Sequence, residues 1–313
     1  MKVLVLGAGA IGSYYGTRLQ QAGASVTYLV RPARARQLRQ EGLRVHSELG
    51  SFSGPVALVE AGQELPASDL VVLACKSYDL VDAARSIAPA VGRGTAILPF
   101  LNGLQPYDQL DAMFGKDRVL GGVAYIAVML QADGSTRQLG TADRVVLGAR
   151  SPAFRDLAED LYALLARSPG QRTVDERIEQ QLWNKWAMLC TGAAVTCLFR
   201  GSVAQILATA HGAACVEAAL EEACRVAQAE GFALQVQDLQ QIRASLLNPA
   251  SPWKASMARD IDQGLPRIEA DAIVGDMLAR AARHGIAVPT LRAAYVHLQV
   301  YAGAQAASAP PAG

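Results

Sequence analysis

The six residues Gly7-Ala8-Gly9-Ala10-Ile11-Gly12 match G-x-G-x-x-G, a spacing that lets a chain turn sharply and bring bare backbone against a pyrophosphate. They follow the apolar run Val3 to Leu6 and open a stretch in which Ile11, Tyr15 and Leu19 recur every four residues. In that strand–turn–helix setting Gly7 makes the tight turn, Gly9 admits the phosphates and Gly12 allows close helix packing. The N–H groups at the helix start, from Ala10 and Ile11 onward, point a partial positive charge at the bound anion. An ordinary strand-to-helix turn is the competing reading, and it gives the three glycine positions no reason.

The next polar candidates stand where later strands should end. Ser25 to Val30 closes on Arg31, 19 residues after Gly12, where NAD-binding versions of the motif carry a carboxylate for the ribose 2′-hydroxyl. A guanidinium there pairs with a 2′-phosphate instead, which favours NADP. Arg34 and Arg36 are close enough to share that task or to form a solvated helix face. Lys76 follows the run Leu70 to Cys75, and Asn102-Gly103 follows Thr95 to Leu101. Ligands sit beyond the carboxyl ends of an open parallel sheet. Lys76 is therefore a candidate for phosphate or ribose oxygens, and Asn102 for nicotinamide or substrate. A solvent-facing lysine and an Asn-Gly turn are the plainer alternatives.

Reduction of a carbonyl by NADPH also needs a proton donor. Lys185 lies in Leu182-Trp183-Asn184-Lys185-Trp186-Ala187-Met188-Leu189, whose other members are mostly large and apolar. Burial there lowers a lysine pKa and suits it to general acid catalysis, whereas an amphipathic helix would let it snorkel to water. Glu269, at the head of the segment Pro266 to Ile273, is the natural charge partner, although the helix dipole alone favours a carboxylate there. The four histidines show no metal or triad spacing, and no metal is expected.

Short apolar runs alternating with amphipathic stretches, from the start to about Thr173, predict βαβ units around a mostly parallel sheet. A helix is expected from Tyr78 to about Val91. Hairpins are expected for Leu43–Leu49 with Phe52–Val59 and for Val123–Leu130 with Ser135–Leu139. Beyond Val174 the chain is rich in Ala, Leu, Glu, Gln and Arg at helical spacing, with breaks at Gly201, Gly231, Asn248-Pro249, Gly264 and Gly285. The expected architecture is an α/β N-terminal Rossmann domain over 1–174 and an all-α C-terminal domain for substrate and catalysis over 175–303. A disordered tail of Ala, Gly, Gln, Ser and Pro is expected over 304–313. With 29 basic against 28 acidic residues and 18% charged, the chain is too balanced for a polyanion binder, and no apolar run approaches the length of a membrane span. Five cysteines without a C-x-x-C pair, and Met1-Lys2 running straight into the first strand, predict reduced thiols and a cytoplasmic protein. Oligomeric state is not legible.

Taken in order, Gly7 to Gly12, Arg31, Lys76, Asn102-Gly103, Leu182 to Lys185, Ser256-Met257 with Asp260-Ile261, and Glu269 through His284 to Pro289 resemble the ketopantoate reductase family over residues 1 to about 300. The resemblance implies NADPH-dependent reduction of 2-dehydropantoate to pantoate, in pantothenate biosynthesis. It implies Lys185 as proton donor, Lys76 and Asn102 as cofactor and substrate contacts, Ser256 as a substrate contact, and Glu269 beside both cofactor and lysine. Three positions depart from the pattern: Leu189, Ala193 and Trp253 stand where the family carries asparagines. The expectation is therefore 2-dehydropantoate 2-reductase activity or that of a close paralogue reducing another 2-oxo acid. The competing readings are another two-domain Rossmann dehydrogenase, which should carry more cationic anchors in its helical half, and a non-catalytic NADPH-binding sensor, against which Lys185 and Glu269 argue.

Overall fold

The computed structural model describes residues 1–308. The chain divides into two compact units, one formed by 1–101 with 106–181 and the other by 102–105 with the chain from Leu182 onward.

In the first unit, β1 (Lys2–Leu6), α1 (Ala10–Gln21), β2 (Ser25–Val30), α2 (Pro32–Glu41), β3 (Leu43–His46), β4 (Phe52–Gly54), β5 (Ala57–Glu60), β6 (Leu70–Leu73), α3 (Leu80–Ile87) and β7 (Ala96–Pro99) follow one another. The strands β5-β2-β1-β6-β7 form one wholly parallel sheet. Its central strands are continuous apolar runs, because helices cover both faces of such a sheet. Val3, Leu4, Val5 and Leu70 to Leu73 are all at most 2% exposed. The chain leaves β1 toward one edge and later crosses back to β6 on its other side. This reversal of strand order is the point where an open α/β sheet offers a crevice.

Then come α4 (Gln105–Phe114), β8 (Gly121–Leu130), β9 (Thr136–Gly148), α5 (Arg155–Leu165) and β10 (Gln171–Val174). A second sheet runs β10-β9-β3-β4, with β8 antiparallel to β9. It lies across α1, so Gly12 through Leu19 are all buried, rather than only a stripe facing the first sheet. The two tyrosines of that helix find their partner on β9, and β10 joins them there. Tyr14 and Tyr15 donate to the two oxygens of Asp143 at 2.9 and 3.0 Å, and Arg172 pairs with the same carboxylate at 2.6 Å, with side chains 2% and 0% exposed.

The hairpin over Leu43–Val59 is only half as expected. β3 and β4 pair antiparallel, but at Pro55 the chain leaves that sheet and Ala57–Glu60 joins β2 in the parallel one. Proline has no N–H to continue a ladder.

The second unit is helical, as expected: the long α6 (Ile178–Leu198), α7 (Val203–Leu207), α8 (Gly212–Ala229), α9 (Val236–Leu246), α10 (Ser256–Asp262), a π-helical turn at Asp271–Gly275, α11 (Asp276–Arg283) and α12 (Pro289–Ser308). Gly231, Gly264 and Gly285 sit at positive φ of 92°, 68° and 65° after helix ends, where a Cβ would be strained. The buried carboxylate of Glu222 in α8 accepts the first N–H groups of α12 from Thr290 and Leu291, both at 2.9 Å, supplying partners that a helix start otherwise lacks. The division of the chain falls inside α6 rather than at 174, because Ile178 packs against Gly121 and Gly148 of the first unit. Helix α12 runs through Ser308, so the tail expected from 304 does not begin there; residues 309–313 lie outside the described residues. Among the described residues no helix is long and apolar enough to cross a membrane.

Candidate active site

The glycine turn has the expected form. Gly7 has φ +93° and its N–H donates to the Leu29 carbonyl at 3.0 Å, tying the turn to β2. A Cβ on Gly12 would collide with the Gly7 carbonyl oxygen and lie 3.2 Å from the Ala74 side chain, so α1 seats against the turn only if position 12 is bare. Gly9 is the residue before α1, and nothing lies within 4 Å of where its Cβ would be. That open face borders the N–H groups of Ala10, Ile11 and Gly12, which as the first of a helix have no intrahelical acceptor. A bare backbone, an open approach and a helix N-terminus are what a dinucleotide pyrophosphate requires, and the residues fit it.

Arg31 closes β2, precedes α2 and is 80% exposed, with Nη2 3.5 Å from Asp79 Oδ2. Arg34 does something the sequence did not disclose. Its Nη2 donates to the Ala8 carbonyl at 3.1 Å and to the Gly134 carbonyl at 2.9 Å, bracing the glycine turn against the β8–β9 hairpin tip. It thus supports the turn, and Arg36 is exposed on α2. Lys76 follows β6 and is half-buried where a short 3₁₀ turn begins, its carbonyl accepting the Asp79 N–H at 3.0 Å.

In the second unit, α6 carries Lys185 with Trp183 and Trp186 beside it. Trp186 donates its indole N–H to the Ile273 carbonyl at 2.9 Å, inside the π-helical turn that follows Glu269. Gly103, at φ +83°, backs onto the Ala272 carbonyl so closely that a Cβ could not be accommodated. Its neighbour Asn102 is thereby held at α6, where Oδ1 accepts a hydrogen bond from Lys185 Nζ at 3.3 Å. Arg280 lies 5.6 and 5.4 Å from the centres of the Trp183 and Trp186 rings and pairs with Glu230 and Asp276, locking the far side of α6. Burial of the Lys185 ammonium lowers its pKa from 10.5 to about 8, against the opposing attraction of the Glu269 carboxylate. Glu269 itself is 6% exposed.

The structure thus gathers Lys185, Asn102 and Glu269 into one cluster. Ser256 begins α10, next to Ala255, whose N–H donates to Thr196 Oγ1 farther along α6 at 3.4 Å. Trp253 lies against Gly192, with ring carbons 2.7 Å from that residue's ideal Cβ position.

Two family descriptions match the chain: ketopantoate reductase PanE/ApbA over residues 3–152, and its C-terminal domain over 177–302. The chain belongs to the ketopantoate reductase family. Members of this family are oxidoreductases acting on CH–OH groups with a nicotinamide cofactor, associated with pantothenate synthesis. The chain is similar to "uncharacterized oxidoreductase YkpB" of Bacillus subtilis, 34% identical and covering 96% of this chain and 99% of that protein. It is also similar to the 2-dehydropantoate 2-reductase of Mesorhizobium japonicum, 27% identical over 88% of this chain and 89% of the relative. The crystal structure of 2-dehydropantoate 2-reductase from Geobacter metallireducens superposes with a TM-score of 0.86 at 28% identity, covering 96% of this chain and 99% of that one.

Proposed function

We propose that this protein reduces a 2-oxo acid to the 2-hydroxy acid with NADPH, as a 2-dehydropantoate 2-reductase or a close paralogue. The observation that carries the reading is Lys185, a lysine with a pKa of about 8, hydrogen-bonded to Asn102 and attracted by Glu269. Gly7, Gly9, Ala10, Ile11 and Gly12 would hold the pyrophosphate, and Arg31 the 2′-phosphate. Lys76 and Asn102 would contact the ribose and nicotinamide portions. When bound, the cofactor supplies a hydride to the carbonyl carbon.

The chain supplies the rest. As the C=O π pair moves onto oxygen, Lys185 donates its proton there, and its ammonium stabilises the charge that develops first. Lys185 is left as a neutral amine and regains a proton from water. Asn102 Oδ1 accepts a Lys185 N–H and so aims the ammonium, leaving its own amide N–H groups for the substrate. Glu269 favours the protonated form of the lysine. By family likeness, the Ser256 hydroxyl would donate to the substrate carboxylate. Steady-state NADPH oxidation across a panel of 2-oxo acids tests the reading, and kcat/KM of about 10⁴ M⁻¹s⁻¹ or more with 2-dehydropantoate would establish that acid as one substrate. No oxidation with any member of the panel would refute it.

A further inference from the structure

A proton donor at Lys185 leaves open what the non-reacting end of the substrate touches, and the inference that follows rests on that reading. Residues three and four apart share a helix face, so α6 presents Lys185, Leu189, Gly192, Ala193 and Thr196 in one row. Exposure along that row falls away from the lysine: Lys185 is half-buried, Leu189 is 8% exposed and Ala193 is 0%. The cover at the far end includes Trp253, whose Cζ3 and Cη2 lie 2.7 Å from the ideal Cβ position of Gly192, with Leu246 Cδ2 at 3.2 Å. At 1.5 Å of rise per residue, Leu189 lies about 6 Å and Gly192 about 10 Å along the axis from Lys185. The indole therefore blocks the row within the reach of a short acid.

Apart from Ser256, given above to the substrate carboxylate, several polar groups near this wall are engaged elsewhere. Thr196 Oγ1 donates to the Gly192 carbonyl at 2.6 Å and accepts the Ala255 N–H. Lys254 pairs with Asp262 at 2.7 Å, and that same carboxylate faces Arg200 at 3.6 Å. Arg259 donates to the Lys254 carbonyl at 2.6 Å. A hydroxyl or charge on the far end of a substrate would be set against Leu189 and the Trp253 ring, losing its hydration without a partner.

We propose that the substrate is a compact 2-oxo acid with a branched, wholly apolar substituent on the carbonyl carbon, and that Leu189 and Trp253 set this preference. The test uses two acids that differ by one oxygen atom, 3,3-dimethyl-2-oxobutanoate and its 4-hydroxy derivative, 2-dehydropantoate. Steady-state kcat/KM with NADPH should favour the apolar acid by tenfold or more, within the roughly hundredfold that an apolar pocket can exert against an added hydroxyl. L189N should lower that ratio at least fivefold by offering the hydroxyl a partner. W253F and W253A should progressively raise kcat/KM for longer-chain apolar 2-oxo acids, and W253F is the smaller change should W253A fail to fold.

Reduction of both acids with a ratio below tenfold, or a reversal, would overturn the inference while leaving the reductase reading intact. Should neither acid be reduced, calorimetric binding to the NADP⁺-loaded protein decides. A tenfold tighter grip on the apolar acid upholds the pocket and removes the proton-donor reading, and anything less removes both.

Discussion

The acid limb of the proposed reaction belongs to Lys185, whose pKa is lowered by burial from 10.5 to about 8 while Glu269 pulls it the other way. Only the ammonium donates a proton. For a single group titrating near 8, about nine-tenths is protonated at pH 7 and about one-tenth at pH 9, so kcat should fall roughly tenfold across that interval. A lysine at its ordinary pKa would leave the profile flat over the same range. Replacing Glu269 with Gln removes the carboxylate that favours the charged form, so the limb must move to lower pH; each unit of movement corresponds to about 1.36 kcal/mol of lost attraction. The assay is NADPH oxidation with both substrates saturating, from pH 6 to 10, for the wild type and E269Q. A wild-type profile flat to pH 9.5 would refute the reasoning. So would an E269Q limb displaced toward alkali.

The other predictions concern parts that position this chemistry. Arg31→Asp should cost NADPH roughly 10- to 100-fold in kcat/KM, the worth of a charge-assisted hydrogen bond, and spare NADH; a variant that still prefers NADPH would show that the phosphate anchor lies elsewhere. Gly12→Ala drives a methyl group at the Gly7 carbonyl, so the turn or α1 must shift and KM for NADPH should rise by about tenfold or more, measured with the 2-oxo acid saturating. Arg172→Met strands the Asp143 carboxylate, 0% exposed beneath two tyrosine hydroxyls, and should destabilise the protein by roughly 3–5 kcal/mol, read as a fall in Tm on the order of 10 °C.

What the sequence disclosed, and what it withheld, follows from how local each feature is. The glycine turn is written in six consecutive residues, and its geometry depends on little else. The strand-end positions of Arg31, Lys76 and Asn102 could be reached by counting from apolar runs. The pairing of Asn102 with Lys185 spans 83 positions, and no local pattern in the sequence predicts it. The burial of α1 on all sides was hidden because β9 carries Gly140 and Asp143 and reads as loop beyond Leu139. Only the structure shows Tyr14, Tyr15 and Arg172 converging on that aspartate. Arg34 looked like one of several basic residues near a phosphate site, and its bond to the Ala8 carbonyl has no signature in spacing. Trp186 passed as a core residue, although its indole N–H fixes the turn that follows Glu269.

The central claim, that Lys185 protonates the substrate during NADPH-dependent reduction, is tested most directly by Lys185→Ala. Steady-state kcat with a 2-oxo acid that the wild type reduces should fall by roughly 10² to 10⁴, while fluorescence titration shows NADPH binding little changed. A kcat within fivefold of the wild type, with the cofactor bound as before, would contradict the account.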